Sequence, residues 1–164
     1  MVLVDTSVWI NHLQKGSDRL ASLLCEAEVV SHPFVIGELA CGNIKNRKEI
    51  LSLLQRLPLS PVVENNEFHY FLERKKLMGS GLGFVDIHLL ASAKLKGMPL
   101  WTADKKLKEV ATNLSSCMRV LRLSDAASKR ALYTSFGYRL DTPCSSLGMV
   151  NVAMKYVHGR AFSS

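Results

Sequence analysis

The chain has 164 residues, 48% of them hydrophobic and 21% charged, enough for one domain that buries roughly two-thirds of its unfolded surface without disulfide staples. Ten glycines and five prolines exclude collagen-like and low-complexity classes, and no apolar run reaches the roughly 20 residues that span a bilayer. Lys and Arg number 21 against 14 Asp and Glu, a net charge of +7 that attracts polyanions, either nucleic acid or an acidic partner.

In chain order, Val2-Leu3-Val4 is a short β-branched run that ends at Asp5-Thr6-Ser7, turn and cap residues, and reads as a buried strand passing into a helix. Val8, Trp9, Leu13, Leu20, Leu23 and Leu24 recur at helical spacing, with a break near Gly16-Ser17. Val29-Val30 fits a short strand or a helix end. Pro33 opens an apolar segment, Phe34 to Cys41, that stops at Gly42. Ile50, Leu51, Leu53, Leu54 and Leu57 mark a helix ended by Pro58 and Pro61, and 64–78 reads as an amphipathic helix with a basic end, Arg74-Lys75-Lys76. Gly79-Ser80-Gly81-Leu82-Gly83 follows a helix and lacks G-K-[ST], so it reads as a turn and not as a phosphate loop. Residues 84–96 form a helix stopped by Gly97. Pro99 to Thr102 is a compact strand, and Asp104 begins a helix with Leu107, Val110 and Ala111 inward. Met118 to Leu123 alternates apolar and basic residues like a half-exposed strand, Ala126–Leu132 is a short helical run, and the tail from Tyr133 reads as an extension, packed on a partner or partly disordered. Strands alternating with helices predict an α/β layered fold with a mostly parallel sheet.

Residues 112–164 carry seven of the basic and two of the acidic side chains, so most of the positive excess lies in the tail. Cys25, Cys41, Cys117 and Cys144 form no C-x-x-C pair, which predicts free thiols in a reducing compartment; Cys25 and Cys41 read as small helix-packing residues. The opening Met1 to Asp5 has no basic stretch and meets a carboxylate too soon for a secretion signal. A cytoplasmic location with no membrane partner is expected.

Carboxylates embedded in apolar runs are the informative ones, because an unpaired buried charge costs several kcal/mol. Glu38 lies within Phe34 to Ala40 and Asp86 within Phe84 to Leu90; Asp5 ends the first strand and Asp104 follows the Trp101-Thr102 strand. Asp5 and Asp104 also stand where helix N-caps are wanted, and Asp86 could cap the helix behind the Gly-rich turn. Four converging carboxylates would repel one another unless a divalent cation neutralised them, and an all-oxygen site suits Mg²⁺ or Mn²⁺ and not Zn²⁺. His12, His32, His69, His88 and His158 are scattered, with no spacing for a soft metal, and His88 reads as a polar residue at a helix edge. No G-x-S-x-G elbow is present.

Val4-Asp5-Thr6-Ser7-Val8-Trp9-Ile10, Gly37-Glu38-Leu39, Gly83 to Ala93 and Leu100-Trp101-Thr102-Ala103-Asp104-Lys105-Lys106-Leu107, in that order, resemble the PIN domain, and within it toxins of the VapC type. The resemblance spans about residues 1–123. It implies a three-layer fold with a mostly parallel central sheet flanked by helices, homodimerisation, Mg²⁺-dependent endoribonuclease activity (Mn²⁺ being the other ion such a site takes) and neutralisation by a VapB-type antitoxin. The family's catalytic, metal-holding acids map to Asp5, Glu38, Asp86 and Asp104. Thr6, Ser7 and the Thr102 of the T-x-D segment supply hydroxyls beside the metal. Lys105-Lys106 stand where many relatives have a further acid, and residues 124–164 match nothing in the family, so 1–123 is expected to be the catalytic domain and 124–164 a basic extension.

A carboxylate-held Mg²⁺ fits phosphodiester cleavage, since it can acidify water and neutralise charge on the phosphate. Lys45, Arg47, Lys48, Arg74, Lys75, Lys76, Lys94 and Lys105 are candidate phosphate contacts that offset the repulsion between RNA and an acidic pocket. Aromatic residues, 7% of the chain, give no clear stacking platform. The alternative reading is a catalytically silent RNA- or protein-binding module on the same fold. An aspartyl-nucleophile phosphatase is disfavoured because Ser7 occupies the place of its second Asp.

Overall fold

A computed structural model describes residues 1–114. Its sheet has three strands, β1 (Val2–Val4), β2 (Val29–Val30) and β3 (Leu100–Trp101), in the order β2-β1-β3. Both pairings are parallel: Val2 and Leu3 face Val29 and Val30, while Leu3 and Val4 face Leu100 and Trp101. Every strand residue except Trp101 is buried. That is the reason the strands read as unbroken apolar runs, because helices cover both faces of a parallel sheet. One bridge, Ser31 with Leu59, prolongs the sheet beyond β2.

Seven helices surround these strands among the described residues: α1 (Thr6–Lys15), α2 (Asp18–Cys25), α3 (Pro33–Cys41), α4 (Arg47–Leu54), α5 (Asn65–Arg74), α6 (Phe84–Lys96) and α7 (Lys105–Asn113). Their starts follow the sequence closely. Asp5, Ser17 and Asp104 each accept a backbone N–H as N-cap side chains, and Pro33 stands at the first position of α3 behind the His32 cap. The core joins Leu3, Val4, Leu20, Val35, Leu39, Leu89, Leu90, Leu100 and Leu107, all at or near zero exposure.

The helix expected over 64–78 stops at Arg74. Lys76 takes a left-handed φ of 53°, its N–H bonds the Glu73 carbonyl at 3.1 Å, and the Leu77 N–H bonds the Leu72 carbonyl at 3.0 Å. This is a Schellman turn, closed by the buried Leu77, so Lys75 and Lys76 lie in the turn and not on the helix. Cys25 and Cys41 are exposed at helix ends and are not packing residues. The strand expected at Met118–Leu123, the helical run Ala126–Leu132, and the boundary at 123 lie outside the described residues.

Candidate active site

The carboxyl ends of β1 and β3 are adjacent in the sheet, and the first residues beyond them, Asp5 and Thr102, open the site. Crevices at such strand ends are where open parallel sheets bind ligands. Asp5 is 5% exposed. Its Oδ2 accepts hydrogen bonds from the Ser7 hydroxyl at 2.5 Å, the Thr102 hydroxyl at 2.8 Å and the Ser7 N–H at 3.4 Å. The Ser7 oxygen accepts the Ala103 N–H at 3.0 Å, and the Thr102 oxygen accepts the Asp104 N–H at 3.0 Å. These bonds lock α1, the end of β3 and the start of α7 around one carboxylate, leaving its Oδ1 without any of these donors.

Asp86, half-buried in the first turn of α6, turns back so that its Oδ2 accepts the Gly83 N–H at 2.8 Å. Burial pushes its pKa up, against the lowering effect of that N–H, and the negative charges of Asp5 and Asp104 push it up further. Three carboxylates from three separate elements therefore lie within electrostatic reach of one another. Asp104 is exposed and caps α7, its Oδ1 accepting the Leu107 N–H at 2.8 Å. Glu38 is exposed on α3, where its Oε2 accepts the Thr6 hydroxyl at 2.5 Å. Of the two acids expected within apolar runs, Asp86 is half-buried and Glu38 is exposed, whereas Asp5, at the strand end, is buried. The reason at Glu38 is rotational, since Val35 and Leu39 take the inward positions of α3 and turn Glu38 outward.

The donor set is all hard oxygen, carboxylates with the Thr6, Ser7 and Thr102 hydroxyls beside them, and that chemistry fits Mg²⁺ or Mn²⁺. Among the described residues no three acids, histidines or cysteines stand close enough to form a ligand shell by themselves. Mg²⁺ usually keeps several waters and is held directly by only one or two carboxylates, so a closed shell of protein ligands is not required for it.

The basic residues divide into two groups. The Arg47 guanidinium donates to the Ala40 carbonyl, with Nε at 2.9 Å and Nη2 at 2.7 Å, and Lys94 Nζ donates to the Leu114 carbonyl at 3.1 Å from the last turn of α6, the end opposite Asp86. Both side chains are exposed and keep further N–H donors. Lys45, Lys48, Arg74, Lys75, Lys76 and Lys105 are exposed. The cation that the sequence reading passed over is Lys106, whose Nζ would lie 3.0 Å from a Cβ placed on Gly81, directly over the loop that leads into α6. Its signal was present as the basic pair after the T-x-D segment. His88 is buried and not at a helix edge, with its ring among Phe34, Phe68 and Phe84.

Among the described residues no helix is long and apolar enough to cross a membrane. The PIN domain family model matches residues 2–113. Two curated relatives, both called Ribonuclease VapC32, come from Mycobacterium tuberculosis strains CDC 1551 / Oshkosh and ATCC 25618 / H37Rv. Each is 50% identical over 109 residues, 66% of this chain and 88% of the relative. The matched span takes in Asp5, Glu38, Asp86 and Asp104 and all ten described helices and strands. The chain belongs to the PIN-domain family, as one of its VapC-type ribonucleases.

Proposed function

We propose that the protein is an Mg²⁺- or Mn²⁺-dependent endoribonuclease, the toxin of a pair with a VapB-type antitoxin, working in the cytoplasm as a homodimer. The observation that carries the site is the convergence of the Asp5, Asp86 and Asp104 charges at the carboxyl end of a parallel sheet. Half-identity to the two mycobacterial ribonucleases supports RNA as the substrate. When bound, the metal supplies charge neutralisation at the phosphate and acidifies a water molecule.

The chain's own residues divide the remaining work. Asp5, kept in place by the Ser7 and Thr102 hydroxyls, is the rigid ligand, and its position costs no reorganisation on binding. Asp86 would be the second direct ligand, and a cation there would offset the cost of its ionised form, which burial raises first and the Asp5 and Asp104 charges raise further. Glu38, aimed by Thr6, and Asp104, fixed as a helix cap, would complete the site through waters or a second ion, and either would orient the nucleophilic water. Lys106 over the Gly81 loop offers a positive charge to the RNA backbone at the rim of an otherwise acidic pocket. The test is to sequence the RNA ends created in cells on induced expression of the wild type and of Asp86→Asn. Discrete new ends with the wild type alone bear the reading out; ends unchanged from uninduced cells, or equal for both proteins, overturn it.

A further inference from the structure

The helices that carry Glu38 and Asp86 also carry an aromatic assembly that the reaction as described above does not use. Phe84 is the first residue of α6, two before Asp86, and 58% exposed. Its ring is braced by three others: His88 at 4.4 Å between centroids, Phe68 at 5.0 Å and Phe34 at 5.7 Å. Those rings hold one another, with Phe68 stacked on His88 at 4.5 Å and 22°, and Phe34 edge-on to His88 at 4.8 Å. Phe68 and His88 are buried, and the His88 Nδ1 has no hydrogen-bond partner among the described residues, while the ring packs against all three phenylalanines.

Two members of the assembly stand next to site acids along the chain. Phe34 lies one helical turn before Glu38 on α3, and Phe84 shares the first turn of α6 with Asp86. An exposed phenyl ring gains nothing from water, and this one is fixed by three neighbours so that little rotational freedom remains to be lost when a flat group settles on it. A nucleobase is the flat group that an RNA brings to within one nucleotide of its own scissile phosphate, and any base can stack because each has a π-face. The phosphate half of the same nucleotide has its counterpart in Lys106, over Gly81 in the loop three residues before Phe84.

We propose that Phe84, held by Phe34, Phe68 and His88, is the platform on which an unpaired RNA base next to the cleaved bond stacks. The proposal rests on the ribonuclease reading for its ligand. Stacking of this kind makes the enzyme select single-stranded or loop RNA, in which bases can turn out of a helix, over continuous duplex.

The test uses the full 164-residue chain in EDTA, with two probes: a 12-nucleotide oligoadenylate and an oligomer of equal length with abasic sites at every position. Wild type, Phe84→Ala, Phe84→Leu and Phe84→Trp are compared, with melting curves to establish folding. Phe84→Ala and Phe84→Leu should bind oligoadenylate about 10-fold more weakly than the wild type, within the range for loss of one base stack, and should bind the abasic oligomer as the wild type does. Phe84→Trp should retain affinity, and its added fluorescence should be quenched by oligoadenylate and not by the abasic oligomer. Equal affinity of all four proteins for oligoadenylate, or equal losses on both probes, overturns the platform. So does a halved solution mass for Phe84→Ala with unchanged RNA affinity, which would make Phe84 part of a contact with a second copy of the chain. RNA cleavage by the wild type together with either of these results leaves the ribonuclease reading standing; Phe84-dependent binding without any RNA cleavage in Mg²⁺ or Mn²⁺ removes that reading and keeps the platform.

Discussion

At Asp86 two demands on one side chain conflict. The carboxylate caps its own helix through the Gly83 N–H, yet burial and the charges of Asp5 and Asp104 make its ionised form costly. A raised carboxyl pKa means that the folded state binds a proton more readily than the unfolded state, so above the normal carboxylate range ionised Asp86 destabilises the fold. Asparagine keeps an oxygen for the Gly83 N–H and removes the charge. Asp86→Asn should therefore melt at a higher temperature than the wild type in the absence of divalent metal, while losing about 100-fold or more in RNA cleavage, the scale set by removing one charged group from a preorganised site. Melting curves in EDTA and cleavage rates in Mg²⁺ check the two halves separately. A melting temperature below that of the wild type would contradict the cost assigned to the charge.

Two elements owe their position to residues whose conformations are demanding. α3 begins at His32, a fully buried residue whose Nδ1 accepts the Phe34 N–H at 3.1 Å and whose Nε2 meets the Ser92 hydroxyl at 3.2 Å. Ser92 in turn donates to the Pro61 carbonyl at 2.9 Å, which leaves its oxygen to accept from Nε2. This network is complete with a neutral ring. Burial, with the nearby His88 adding to it, brings the His32 pKa down from 6.5 to about 4. The unfolded chain then binds the extra proton first as pH falls, so stability is full above pH 6.5 and declines toward about pH 4. The loss reaches about 3 kcal/mol at most for this group. His32→Asn keeps a side-chain oxygen for the Phe34 N–H, and its urea midpoints between pH 7 and 4 should fall less than those of the wild type. The second element is the loop before α6. Gly81 has φ +74° and Lys106 Nζ would lie 3.0 Å from any Cβ there. Gly81→Ala should cost about 1 kcal/mol from the left-handed backbone alone and displace Lys106, visible as a lower urea midpoint and weaker binding of oligoadenylate.

At the scale of the molecule, the order of strands and helices was legible because each apolar run was bounded by a cap or a breaker: Asp5, Ser17, Pro33, Gly97 and Asp104 all mark element ends in the structure. The early end of α5 was not legible, since a lysine in left-handed conformation at position 76 carries no glycine to announce it. Composition located the acids but misjudged their burial, because an apolar run on a two-sided helix does not say which residues face the core, and Glu38 lies outward between Val35 and Leu39. The aromatic assembly was invisible for a different reason. Its members, Phe34, Phe68, Phe84 and His88, come from three helices and meet only when α3, α5 and α6 pack. All four acids lie within residues 2–113, the span of the family match, while residues 112–164 bring seven basic and two acidic side chains. A chain ended after Ser124 should cut RNA at the same positions with a shallower dependence of RNA affinity on salt, because fewer phosphates are neutralised. A changed set of cut sites would assign the tail a part in recognition.

The claim on which the rest depends is that Asp5, Asp86, Glu38 and Asp104 share one divalent ion, and a ligand that binds only the folded protein must raise its stability. Calorimetric titration of Mn²⁺ into wild type, Asp86→Asn and Glu38→Ala, each shown folded by its melting curve, tests that claim directly. Binding by the wild type, a loss of about 10-fold or more in affinity for Asp86→Asn and a smaller loss for Glu38→Ala are the predicted results, in keeping with one direct and one water-mediated contact. Equal Mn²⁺ affinity in all three proteins would contradict the shared site.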